Sequence, residues 1–224
     1  FRGCTSLASI TIPEGVTAIG EDAFRDCTSL ASVKIPAGLT TSGTLFYGCA
    51  SLVSINIPDG VTAIDDHAFS GCSSLASISI PAGVTSIGEY AFFGCTSLAT
   101  ITIPDGVTTI GMGAFYGCTS LESISLPGTL EEISGGDWDE GAFSGCTSLA
   151  SITLPRGVTT VGGHAFYGCT SLASITIPEG VTTIEDGAFE RCDWLITAVL
   201  PQSCAVIQER AFEDCPHLSI VVAP

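Results

Sequence analysis

The sequence predicts a repeat solenoid, mostly β: a right-handed coil with a parallel β-sheet on one face and short strands or 3-10 turns on the other. Three observations carry this. Cys-Thr-Ser-Leu at Cys4 recurs at Cys27, Cys95, Cys118, Cys146 and Cys169, with close variants at Cys49, Cys72, Cys192 and Cys215, mostly 23 residues apart. A Phe stands three residues before each of these cysteines, from Phe1 and Phe24 to Phe189 and Phe212. Alternating apolar residues closed by Pro follow, as in Ile10, Ile12 and Pro13, Ile78, Ile80 and Pro81, or Ile175, Ile177 and Pro178. A fixed period of this length outranks local propensity in deciding the fold.

Each element of the unit has a physical reason. Ile-x-Ile has the period of a strand with one face buried, and Pro ends it because it has no N–H to give the ladder. Gly15 then makes a turn, Val16 and Ile19 point inward again, and Ala23-Phe24 leads through a tight bend to Cys27. One unit cannot bury its own apolar edge, so the turns stack at about 4.8 Å each, and about ten of them form one solenoid over residues 1–224, roughly 45 Å long. The chain opens inside one unit and closes inside another, which is expected of an excerpt from a longer protein. Two units break the period. Residues 134–140 carry five extra positions, Ser-Gly-Gly-Asp-Trp-Asp-Glu, while the unit around Leu39 to Phe46 is one residue short, with Leu45 in place of the usual Ala and expected to fill the gap.

The unit Ala-Phe-x-Gly-Cys-Thr-Ser-Leu-x-Ser-Ile-x-Ile-Pro-x-Gly-Val-Thr-x-Ile-Gly, seen over residues 91–111, resembles the BspA-like class of leucine-rich repeat. The resemblance covers essentially the whole chain. It implies a leucine-rich-repeat-like solenoid and, through surface and secreted adhesive proteins of that class, an extracellular or cell-surface place.

Composition narrows the roles further. The apolar fraction of 46% is enough for a continuous core, and the formal charge of -17 repels phosphate backbones and anionic lipid. Neither nucleic acid binding nor membrane insertion is expected. Ten of the eleven cysteines occupy one position per turn among core residues; stacked side chains point the same way and not at one another, so buried free thiols are expected. Cys204 stands where other units have Val and is expected to act as a small core residue. His67 and His164 share a position just before Ala-Phe but lie four turns apart, so both are expected as solvated residues without a shared metal or proton. His217 has no Ser or Cys partner by spacing, and acid pairs such as Asp65-Asp66 and Glu185-Asp186 sit at turns where charge is ordinary. Nucleophile-elbow, zincin and phosphate-loop motifs are missing, so neither an enzyme nor a cofactor site is expected.

Three surfaces remain as candidates for a partner. The outward strand positions, Thr100 and Thr102 among them, form a field of hydroxyls interrupted by Lys34 and Asn56. Short polar β-formers are what a solvent-facing strand needs in any case, yet the same face suits an extended partner, a glycan or, remotely, ice. A column after the Phe anchors, Tyr47, Phe93, Tyr116 and Tyr167 with Ser70 and Ser144 between, either covers neighbouring turns or presents aromatics to a partner. The insertion projects Trp138 among Asp137, Asp139 and Glu140, a set without the spacing of an EF-hand calcium loop, and expected to be solvated. Near the C-terminus Trp194, Val199, Ile220 and Val222 put apolar groups where earlier turns have hydroxyls, which predicts a cap, an adjoining domain or a subunit over that end. The expected function is therefore a non-catalytic interaction module for a protein or glycan ligand, adhesion-like, with a structural scaffold or spacer as the alternative.

Overall fold

The computed structural model describes residues 1–37 and 43–222. About nine stacked turns form a β-solenoid, and no helix is present among the described residues. The expected strand appears in most units, as Ser9–Thr11, Ser32–Lys34, Ser54–Asn56, Ser77–Ser79, Thr100–Thr102, Ser123–Ser125 and Ser174–Thr176. Its middle residue faces inward and its two polar neighbours face solvent, the burial pattern that Ile-x-Ile alternation dictates. Pairing is parallel and column-preserving, with Thr100, Ile101 and Thr102 opposite Ser123, Ile124 and Ser125.

The short strands expected on the other face are present as well. Seven two-residue strands, from Ala63–Ile64 through Glu132–Ile133 to Val206–Ile207, make one continuous parallel sheet on the opposite face. Here the Pro-x-Gly-Val segment has turned the chain by a hydrogen bond from the Val N–H to the Pro carbonyl, as in Val84 to Pro81 and Val107 to Pro104. The chain then returns through i to i+3 bonds in series, Cys95 to Phe92 and Leu98 to Cys95, which tie Ala-Phe to the next strand. Turn-to-turn bonds run along this corner too, from Phe92 N to Ala114 O and from Gly94 N to Tyr116 O.

Between the sheets the Phe anchors form a single stack. Successive rings from Phe1 to Phe212 lie 5.2–5.7 Å apart at interplanar angles of 3–9°. Rings from Phe24 to Phe189 are buried, each such burial stabilising by about 2–3 kcal/mol. Beside them runs the thiol ladder. Cys27, Cys49, Cys72, Cys95, Cys118, Cys146, Cys169 and Cys192 are free and fully buried. Each Sγ, with Cys215 added, donates to the Phe carbonyl oxygen of the preceding turn at 3.1–3.2 Å. The cysteine is thus a small apolar filler that also gives a buried carbonyl, already bonded to a backbone N–H, a second donor. Cys204 closes the Pro-x-x-Val type of turn by bonding Pro201, and is only half-buried.

The two irregular units differ in outcome. Residues 38–42 of the short unit lie outside the described residues; Leu45, in the place of Ala, is buried beside Phe46. At the C-terminus the expectation that Ile220 and Val222 face outward fails. The last strand, Ser219–Val222, pairs one residue out of step with Thr197–Leu200, which puts Ile220 beside Ala198 and Val222 beside Leu200 in the inward columns. Ser219-Ile-Val-Val has no polar alternation to fix its register. All four residues are exposed, together with Trp194, Ile196 and Ile207.

Candidate functional site

The period-breaking loop folds down on its neighbours instead of standing free in solvent. Gly136 N–H donates to Gly163 O at 2.9 Å, and Ala142 N–H closes the base on Ser134 O at 3.3 Å. This close approach needs glycine: a Cβ on Gly135 would lie 2.2 Å from Gly163 N. Trp138 and Asp139 both adopt the left-handed backbone, at φ 56° and 72°, which lifts the Trp138 side chain to 89% exposure.

The three acids of the loop diverge. Glu140 turns back over the solenoid and accepts a 2.7 Å bond from the Tyr90 hydroxyl, skipping an entire turn. Tyr90 reaches that far because it lies across Gly113, where a Cβ would be 2.4 Å from the ring. Burial first, and then the bond to Glu140, push the Tyr90 phenol up to about 12, so it stays a donor at neutral pH. Asp139 faces the other way, its Oδ1 3.9 Å from His164 Nε2. Asp137 is exposed beside a cleft shared with Gly136, His164, Glu185 and Asp186. No three His, Cys, Asp or Glu among the described residues are arranged to hold a metal ion.

Both histidines depart from the solvated state expected of them. The residue before Ala-Phe takes a left-handed φ, 56° at His67 and 54° at His164, and this turns its side chain along the corner. His67 stacks on Tyr90 at 5.1 Å and meets the edge of Tyr47 at 6.1 Å. His164 is buried, with Nδ1 3.1 Å from Gly136 O and its ring edge 5.8 Å from Tyr167.

These contacts assemble an aromatic run from Arg25 to Tyr116. Arg25 sits 4.3 Å over Tyr47; Tyr47, His67, Tyr90, Phe93 and Tyr116 follow ring on ring, with Phe93 and Tyr116 stacked at 5.2 Å. Beyond the loop, Tyr167 continues to Arg191 at 5.8 Å. Burial, then the Asp139 charge, raise the Tyr167 phenol above its usual range. The structure thus links Tyr47, Phe93 and Tyr116 in one run of ring contacts and sets Tyr167 and Asp139 beside His164, with Asp137 on the adjoining cleft and Trp138 exposed, while Ser70 and Ser144 are buried. Thr100 and Thr102 lie apart on the exposed sheet face, and Trp194, Ile220 and Val222 at the C-terminal end. Tyr90 and the two histidines are edge members that the period alone does not reveal, although the shared place of His67 and His164 is a pointer to their common corner.

A family model for the BspA type leucine rich repeat region matches in six copies over residues 1–45, 42–139 and 138–224. The chain belongs to the BspA-type leucine-rich repeat family. Among solved structures, this BspA-type chain is similar to a leucine-rich repeat protein of Bacteroides ovatus, with 30% identity and a TM-score of 0.72, over 95% of this chain and 74% of that one. It is also similar to the leucine-rich repeat protein of T. pallidum, at 26% identity and a TM-score of 0.54, over 95% and 78% of the two chains. A leucine rich cell surface protein of Faecalibacterium prausnitzii matches at 29% identity with a TM-score of 0.46, over 97% and 79%. Comparison with curated proteins yields no match. No helix among the described residues of the BspA-type solenoid is long and apolar enough to cross a membrane.

Proposed function

We propose that this BspA-type solenoid is a non-catalytic, adhesion-like binding module whose recognition edge is the aromatic column together with the Trp138 loop. The observation that carries the reading is the expense of structure on one exposed indole. Two left-handed residues, the Tyr90 bond to Glu140 and the loop's contacts with Gly163 and His164 all serve to hold Trp138 out at 89% exposure. Core packing gains nothing from that, whereas rigid aromatics flanked by polar groups are what interfaces use as anchors. A protein or glycan partner suits the edge, since both stack on flat rings and donate hydrogen bonds to the surrounding carboxylates. Presentation outside the cell or at its surface follows from the family and is part of this proposal.

Glycan arrays and pull-downs of surface proteins, run with the wild type and with a Trp138→Ala, Phe93→Ala, Tyr116→Ala triple variant, test it. At least tenfold weaker binding by the folded triple variant is expected. Undiminished binding overturns the assignment of the edge. A second reading, attachment to an adjoining domain or subunit within a larger assembly, is favoured by the exposed Trp194, Ile196, Ile207 and Val222 of the last turns. Its sign is a partner lost on mutating those residues while the triple variant still binds.

A further inference from the structure

His164 has a ring nitrogen that the fold leaves without a hydrogen-bond partner. Its side chain is 94% buried, with a relative exposure of 6%, and Nε2 is sealed from solvent. A Cβ on Gly187 would lie 2.5 Å from Nε2, so that glycine closes the box on one side. The other nitrogen is already committed: Nδ1 lies 3.1 Å from Gly136 O, and a carbonyl only accepts, so Nδ1 carries a hydrogen whatever the charge of the ring. Protonation therefore changes Nε2 alone.

Nε2 points between two carboxylates from different parts of the chain, Asp139 Oδ1 of the insertion loop at 3.9 Å and Glu190 Oε2 of the next turn at 4.0 Å. Glu190 Oε2 is itself buried without a hydrogen-bond partner. With a neutral ring, Nε2 and Glu190 Oε2 are two acceptors in a place water does not reach, with the half-exposed Asp139 carboxylate beside them, and unpaired buried acceptors are destabilising. A hydrogen on Nε2 supplies the missing donor, and a shift of about 1 Å brings either oxygen to charge-assisted bonding distance.

The remaining charged and titratable groups around the ring are these. Tyr167 meets its edge from the same turn. From the next turn, Asp186 takes the His164 N–H on its backbone oxygen, and Glu185 accepts from Gly163 N–H. One turn further, Arg210 pairs with Asp186 and lies 3.7 Å from Glu190, near Glu213. Asp137 lines the adjoining cleft. Arg210 is the single fixed cation of this set, shared between two carboxylates, and leaves Asp139 without one.

We propose that a proton on His164 Nε2 adds a tie at the Asp139 end of the insertion loop, beyond the bonds that hold Gly136 and Glu140, so that Trp138 is presented in one pose when the imidazole is charged and is freer when it is neutral. The device is a pH-dependent clasp: Asp139 and Glu190 close on the imidazolium, and with the ring neutral the loop end bearing Asp139 lifts. Its consequence for binding rests on the proposed function of the Trp138 edge; the clasp itself does not.

The test needs no partner. In a Trp194→Phe background, which leaves Trp138 as the one indole, the emission of Trp138 and the ring resonances of His164 are followed from about pH 5 to about pH 8. The clasp predicts a single Trp138 transition coincident with that of His164, and protease cleavage between residues 135 and 141 at least about tenfold faster above it. Asp139→Asn, in a half-exposed loop position, is expected to raise cleavage at low pH to the high-pH rate, and His164→Asn to abolish the transition. A flat Trp138 signal while His164 titrates, or a transition surviving in folded His164→Asn, overturns the clasp. A clasp that operates as described while the triple variant of the edge still binds its partner would sustain this inference and defeat the functional reading.

Discussion

The thiol of Cys118 donates to the carbonyl oxygen of Phe92, one turn earlier, across 3.2 Å in a fully buried position. The same relationship recurs up the ladder and distinguishes Cys from other small residues. Cys118→Ala leaves the Phe92 carbonyl without its thiol donor and opens a small void, and is expected to cost about 2–3 kcal/mol in urea unfolding. Cys118→Ser keeps a donor and is expected to lose about 1 kcal/mol less than that. Equal losses in the two variants would show that volume, and not the bond, matters.

Alkaline pH attacks the same ladder. Burial pushes the thiols of Cys118 and Cys169 up to about 12 from an ordinary 9.0, and raises those of Cys72, Cys95 and Cys146 as well. A folded value above the unfolded one means that the native chain holds protons the unfolded chain gives up. The contribution is therefore whole below about pH 9 and falls as pH climbs toward 12, by about 1.4 kcal/mol per pH unit for each thiol. Steep unfolding above pH 9, with a slope greater than that of a variant carrying Ser at Cys118 and Cys169, is expected in a circular-dichroism titration.

Gly113→Ala is expected to disturb a place two turns wide. Its Cβ would meet the Tyr90 ring at 2.4 Å, and φ there is +60°. A loss of about 1–3 kcal/mol should accompany a fall of one phenol's ionisation from about 12 toward its ordinary value, read by ultraviolet difference spectra. An unchanged phenol titration would mean that Tyr90 does not need that passage.

Trp138→Ala should leave stability alone. The side chain is 89% exposed, so the unfolding midpoint is expected to stay within about 0.5 kcal/mol of the wild type. A larger drop in guanidinium unfolding would assign the indole a structural part and weaken its case as a binding anchor.

The period made the stack legible. Phe115, Leu121, Ile124, Val107 and Ile110 are buried as their spacing requires, because every turn repeats the environment of the one before. Where contacts skip a turn the period has nothing to say: Tyr90 reaches Glu140 only because the intervening residue is Gly113, and the buried place of His164 depends on an insertion from another unit folding over it. The direction of the S–H bond was equally hidden, since spacing shows that a cysteine is inside but not which oxygen it faces. At Ser219–Val222 a run of apolar residues left two registers open, and the pairing took the one that alternation did not suggest.

The skipped-turn contact between Tyr90 and Glu140 bears on how such an array can change over generations. Where turns touch only their immediate neighbours, a whole unit gained or lost by unequal recombination restores every interface, and length drifts freely. Between Tyr90 and Glu140 that freedom ends: one more unit would carry the hydroxyl a full spacing away from its carboxylate. The segment from Tyr90 to Glu140 therefore acts as a fixed ruler within a chain otherwise free to lengthen, and relatives that keep the bond should keep the number of turns inside it.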